Sequence, residues 1–187
     1  MNATSSETMR LFYALWPDNP TRTTLMQLQA PLHGRMIPYE NLHLTLAFLG
    51  EQPVSRLPAL KEILLRLNAA PGELVLDRVS YFTRNRIVWA GASETPPFVL
   101  TLYRELSEAL MNQGVAFNEQ HAFKPHITLA RDASSPPDLA FAPIRWRAHK
   151  VALVRSENAP QGSRYEVLAS RSLDEKWVLK DLPGGGA

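Results

Sequence analysis

Two stretches of the chain carry the same polar residues at the same spacing: His43-Leu44-Thr45-Leu46 and His126-Ile127-Thr128-Leu129. In a β-strand successive side chains point to opposite faces, so each His shares a face with its Thr while the aliphatic residues occupy the other. Imidazoles titrate near neutrality, so one can take a proton from water while a second gives one to a leaving oxygen. Two threonine hydroxyls are uncharged donors for non-bridging phosphate oxygens. Arg131, at the end of the second stretch, adds a fixed cation. This set fits phosphodiester cleavage. A 2′,3′-cyclic phosphate fits it especially well, because its strained ring needs a positioned water and an acid.

Zinc asks for three or four ligands in a set geometry, and neither stretch has a second His or a carboxylate at a ligand spacing. No metal and no cofactor are therefore expected. The chain has no cysteine, which removes disulfides, zinc-thiolate sites and thiol nucleophiles. Either motif alone reads more simply as a strand histidine satisfied by backbone. Repetition of residue, spacing and flanking apolar pattern weighs against that for the pair.

The elements that must position these residues follow from periodicity. Leu11 to Trp16 reads as a strand, and Leu25, Leu28 and Leu32 as the stripe of a helix ending at His33-Gly34. The first His-Thr strand runs to Gly50, and Pro58 to Ala70 is an amphipathic helix closed by Pro71-Gly72. Strands at Leu74 to Phe82 and Arg86 to Ala92 form a hairpin, and a helix at Phe98 to Asn112 precedes Gly114. After the second His-Thr strand come strands at Trp146 to Ser156 and Tyr165 to Ser172, with a loop over Glu157 to Ser163 and a last short strand at Trp177 to Leu179. His121 and His149 have no partner spacing.

Strand, helix, Gly, loop and His occur twice in the same order, which predicts one duplicated unit whose halves span roughly 10–70 and 84–140 within a two-lobed domain at 9–182. The pseudo-twofold packing would bring both His-Thr strands to one groove. Residues 1–8 and 183–187 are expected as flexible tails. The chain has 187 residues, 45% of them hydrophobic, and 20 Lys+Arg against 18 Asp+Glu. It is thus an ordinary globular chain whose near-neutral balance offers no long basic track. The polar first residues and the lack of any run approaching about 20 apolar residues predict a cytoplasmic protein outside the membrane.

The paired motifs resemble those of the 2H phosphoesterase superfamily. Arg10-Leu11-Phe12-Tyr13-Ala14, Asn41 to Gly50, Arg86-Ile87-Val88-Trp89 and Pro125 to Arg131 resemble its RNA 2′,3′-cyclic phosphodiesterase branch, also called 2′-5′ RNA ligases. The resemblance implies an α+β, duplicated bilobal fold, with two pseudo-symmetric antiparallel sheets lining a central groove and helices outside. It also implies roles: His43 as proton donor to the leaving O3′, His126 as proton acceptor from water, and Thr45, Thr128 and Arg131 as phosphate-binding residues. The expected partner is RNA ending in a 2′,3′-cyclic phosphate, or a small cyclic nucleotide, with Phe12 or Phe48 as a stacking surface for the base. The alternatives are 2′-5′ ligation as the main role and a non-catalytic nucleotide- or RNA-binding module.

Overall fold

The structure, a computed structural model, describes residues 7–118, 122–160 and 162–175. Leu11, Tyr13 and Leu15 alternate with Phe12 and Ala14, so strand β1 (Thr8–Leu15) is apolar on both faces. The odd residues enter the main core and the even ones a smaller cluster with Ala152 and Val154. Thr8 belongs to the strand rather than to a tail: its hydroxyl donates to the Glu51 carboxylate at 3.0 Å, and the Glu7 carbonyl accepts from Val54 N–H at 2.9 Å.

Helix α1 (Asn19–Gln29) starts where Asp18 accepts from Thr21 N–H at 2.8 Å. It ends short of the expected His33-Gly34. Gly34, at φ +140°, is instead a point of close approach: a Cβ there would lie 2.7 Å from the Ala133 backbone, so a side chain would keep the two segments apart. Next come β2 (Arg35–Met36), β3 (Leu44–Pro53) and α2 (Leu57–Leu65). The expected last turn of α2 is absent because Asn68 and Ala69 N–H donate instead to the Glu105 carboxylate at 2.6 and 2.8 Å.

The segment expected as one strand at 74–82 is two, β4 (Gly72–Leu76) and β5 (Arg78–Phe82), in different sheets. Asp77 makes the corner, its carboxylate accepting from Ser93 N–H at 2.7 Å and Ser93 Oγ at 2.5 Å. Strand β6 (Ile87–Gly91) and helix α3 (Pro97–Asn112) follow as expected. Helix α3 closes on Gly114, at φ +62°, with Val115 N–H donating to the Leu110 carbonyl at 3.0 Å. After β7 (His126–Arg131), the expected strand at 146–156 also divides, into β8 (Ile144–Ala148) and β9 (Lys150–Ala159), with His149 at the break. Strand β9 and β10 (Gly162–Ser172) form a hairpin that replaces most of the expected loop at 157–163. Trp177 to Leu179 and His121 lie outside the described residues.

The main antiparallel sheet has the order β10-β9-β1-β3-β7-β6-β5, with β2 on β7, and a second sheet pairs β4 with β8. The protein is therefore α+β, and the order β1-β3-β7-β6 is symmetric about its centre. The two half-sheets meet through one register pair, Leu44 with Ile127. Helix α1 packs on β7 and β8, α2 on β9 and β10, and α3 on β3. Leucines of all three helices join the core, leaving the other sheet face for a groove. Among the described residues no helix is long and apolar enough to cross a membrane.

Tyr13 is fully buried and its hydroxyl donates to the Leu60 carbonyl at 2.7 Å, tying β1 to α2. Burial pushes its phenol well above the usual range. Tyr13→Phe is expected to cost about 1 kcal/mol, the net worth of one such bond. An unchanged urea midpoint would show that this bond does not hold β1 to α2.

Candidate active site

Because β3 and β7 are antiparallel, the positions flanking Leu44 and Ile127 cross over, setting His43 beside Thr128 and Thr45 beside His126. All four line one cavity of about 160 Å³, together with Arg131. The structure thus brings together all five residues singled out in the sequence.

Each imidazole is fixed by the carbonyl two residues before it: His43 Nδ1 lies 2.6 Å from the Asn41 oxygen and His126 Nδ1 2.6 Å from the Lys124 oxygen. A carbonyl only accepts, so both Nδ1 atoms carry a proton and both Nε2 atoms are left for chemistry. His43 Nε2 is 3.0 Å from Thr45 Oγ1. Among the described residues, His126 Nε2 has no such partner.

Aromatic rings wall both histidines. Around His43 stand Phe12 at 4.8 Å, Tyr165 at 5.3 Å and Trp16 at 6.0 Å between ring centres. Around His126 stand Phe82 at 5.2 Å and Trp89 at 5.9 Å. Lost solvation lowers the pKa of His43 from 6.5 to about 4, against the Asn41 hydrogen bond and with help from Arg131, Arg22 and His126. His126 is lowered by the same chief cause, against the Lys124 bond and with help from Arg131. Both rings are neutral at pH 7 in the free site. Among the described residues no three His, Cys, Asp or Glu side chains come together as a metal site.

The profile described as LigT-like phosphoesterase matches residues 15–89, which include the first motif. The RNA 2′,3′-cyclic phosphodiesterase of Thermus thermophilus is 38% identical over 95% of this chain and 97% of its own. The chain belongs to the LigT-like phosphoesterase family. The RNA 2′,3′-cyclic phosphodiesterase of Escherichia coli is 34% identical over 93% of this chain and 98% of its own. A crystal structure of E. coli LigT complexed with 3′-AMP superposes with a TM-score of 0.77 at 31% identity, covering 90% of this chain and all of that one.

Several residues of this LigT-like site carry no sequence signal. Arg22 projects from α1 into the protein, 6% exposed, and donates to the Glu40 and Leu42 carbonyls at 3.4 and 3.2 Å. Its guanidinium lies 4.8 Å from the Trp16 ring, whose other neighbour is His43. Asn41 Nδ2 donates to the Ser163 carbonyl at 2.7 Å, which brings β10 to the segment that holds His43. The expected stacking residues are corrected in part. Phe12 is 3% exposed and covered by His43 and Tyr165, so it offers no face to a base. Phe48 lines the groove, with Arg10 lying 5.0 Å from its ring centre.

Arg22→Met removes two charge-assisted bonds to carbonyls on either side of Asn41. It is expected to cost about 1.5–3 kcal/mol of stability and to lower turnover more than Tyr13→Phe does. Wild-type stability in a urea titration would rule out this role for Arg22.

Proposed function

We propose that the protein hydrolyses 2′,3′-cyclic phosphate ends of RNA to 2′-phosphomonoesters without a metal ion, using His43 and His126 as acid and base. The observation that carries this reading is the pair of Nδ1-anchored imidazoles, each across from the other motif's threonine in one cavity. The relatives named for this activity, and the E. coli LigT complex with 3′-AMP, support it. The catalytic unit is the two-lobed domain built on β1–α1–β3 and β6–α3–β7.

Arg131 and the Thr45 and Thr128 hydroxyls hold the non-bridging phosphate oxygens. His126 Nε2, without a hydrogen-bond partner among the described residues, takes a proton from water as the water oxygen bonds to phosphorus. The P–O3′ bond breaks with its electron pair going to O3′, and His43 Nε2–H supplies the proton. In the free site Thr45 Oγ1 lies 3.0 Å from that Nε2; with substrate bound its hydroxyl turns to the phosphate oxygen and leaves the Nε2–H pointing at O3′. His43 must gain its proton despite its low pKa, and the substrate favours this: the phosphate anion offsets the Arg131 charge that opposes protonation.

One observation favours 2′-5′ ligation as a second reading. A cavity of about 800 Å³ adjoins His126 and Thr45, with Phe48, Phe82, Tyr103 and Phe123 in its wall. It lies on the side of the proposed base, where an RNA 5′-hydroxyl would replace water. Its volume falls within the range of small-molecule sites.

With a cyclic-phosphate-ended oligonucleotide, His43→Ala and His126→Ala are each expected to lower kcat by about 10²–10⁴-fold with KM little changed. Near-wild-type turnover by either folded variant would end the two-histidine reading. Chelator is expected to leave the rate unchanged, and loss restored by one divalent ion would count against metal independence.

The pH dependence follows from the free-site pKa values. His43 must be protonated and His126 neutral, and both lie below 6.5. The kcat/KM profile is therefore a bell centred below pH 6.5, its acid limb rising as the base loses its proton and its alkaline limb falling as the acid does. Bound phosphate raises both values, so the kcat bell lies at higher pH. A kcat/KM optimum above pH 7 would contradict these environments.

A further inference from the structure

The cyclic phosphate carries one negative charge, yet the groove presents three guanidinium groups near it. Arg10 from β1, Arg35 from β2 and Arg131 from β7 line a single cavity of about 340 Å³ that also contains His43 and Thr45. Among the described residues its remaining polar side chains are those of Ser156, Ser163 and Tyr165, and no carboxylate lines it. Among the described residues Arg10 and Arg131 make no ion pair. Arg35 pairs with Asp132 at 3.2 Å, where both side chains are about half or more exposed and water keeps the attraction small. Arg10 is braced over Phe48, at 5.0 Å from the ring centre.

Arg131 and Arg35 also line the catalytic cavity, and Arg10 adds a third cation beside them, so the positive charge extends beyond the reacting phosphate. They share their cavity with His43, the proposed acid, and so lie on the side of the leaving O3′. That oxygen belongs to the terminal ribose, whose 5′ carbon carries the phosphate linking it to the rest of the strand. The cation cluster therefore lies toward the part of the substrate that bears a second phosphate.

We propose that Arg10 and Arg35, with the hydroxyls of Ser156, Ser163 and Tyr165, form a second phosphate subsite that binds the group on the 5′ side of the terminal nucleotide. The subsite rests on the reading of the reaction above and adds to it. It makes the preferred substrate a strand end, or a nucleotide bearing a 5′-phosphate, over an unphosphorylated cyclic nucleoside. It reads charge without reading base, because guanidinium and hydroxyl donors address phosphate oxygens.

The test compares kcat/KM for three probes: a nucleoside 2′,3′-cyclic phosphate, the same compound with a 5′-phosphate, and a cyclic-phosphate-ended dinucleotide. The readout is the ratio of each phosphorylated probe to the unphosphorylated one. The wild-type protein is expected to show ratios of about 10-fold or more, in the range of one charge-assisted contact. In Arg10→Ala both ratios fall toward one, and in Arg10→Lys they recover in part. An elevated ratio for the 5′-phosphate compound alone assigns the site to a terminal monoester and overturns the strand assignment. Equal kcat/KM for all three probes in the wild type, or an equal loss on all three in Arg10→Ala, overturns the subsite while leaving the reaction standing. Absence of turnover on every probe overturns both.

Discussion

A single backbone pairing, Leu44 with Ile127, is the constraint on which the site depends. Strand β2 also joins the first half to β7, at Arg131 and Ala130, but it is the Leu44–Ile127 pair that sets each His beside the other motif's Thr. The pairing sets the register, and an antiparallel register exchanges partners on either side of the bridge. Slipping one strand against the other by a residue would turn that strand's His-Thr pair toward the helix-covered core and its aliphatic residues into the groove, leaving the other motif without a partner. Burial of Leu44 and Ile127 therefore specifies the chemistry as much as the fold.

Around that junction polar side chains from α1 and from the segment before His43 satisfy backbone carbonyls. Asn41 shows the pattern: its carbonyl fixes His43, and its amide nitrogen donates to Ser163. Arg22 holds the carbonyls of Glu40 and Leu42 on either side of it. Gln29 acts in a related way at the far end of α1, donating to the Ile37 and Leu129 carbonyls at 2.8 and 2.9 Å and so binding the helix to β7. The helix that looks amphipathic thus reaches inward with two long polar side chains that satisfy buried carbonyls.

The four motif residues were legible in the sequence because both chemistry and alternation are local: a His and a Thr two residues apart must share a strand face. Arg131 was legible as the continuation of one motif. The strand breaks at Asp77 and His149 were not, because a change of sheet depends on what lies beyond the corner: Ser93 for the first, and for the second the Leu173 N–H that meets the His149 carbonyl at 2.6 Å. Arg22 gave no sign of burial, since a helical arginine normally faces water. Tyr165 reaches His43 only through the strand order β10-β9-β1-β3, which residue spacing does not encode. Phe12 was read as a platform from its residue type, whereas its place between His43 and Tyr165 makes it a wall.

The near-symmetry of the halves explains why two similar histidines exist, and its breaking supports different roles for them. Each ring has a carbonyl on Nδ1 and aromatic rings beside it. Only His43 has a threonine hydroxyl on Nε2 and Arg22 near enough to lower its pKa. Loss of solvation is the chief cause that lowers His43, and under the proposed reaction the substrate's anion is what offsets it. His126 is lowered too, but without Arg22 behind it and with its Nε2 open to the groove. Proton transfer to a departing alkoxide gains driving force as the donor becomes more acidic, whereas abstraction from water gains as the acceptor becomes more basic. The Thr45 hydroxyl beside one Nε2 is the asymmetry on which the proposed roles rest, His43 as the acid and His126 as the base.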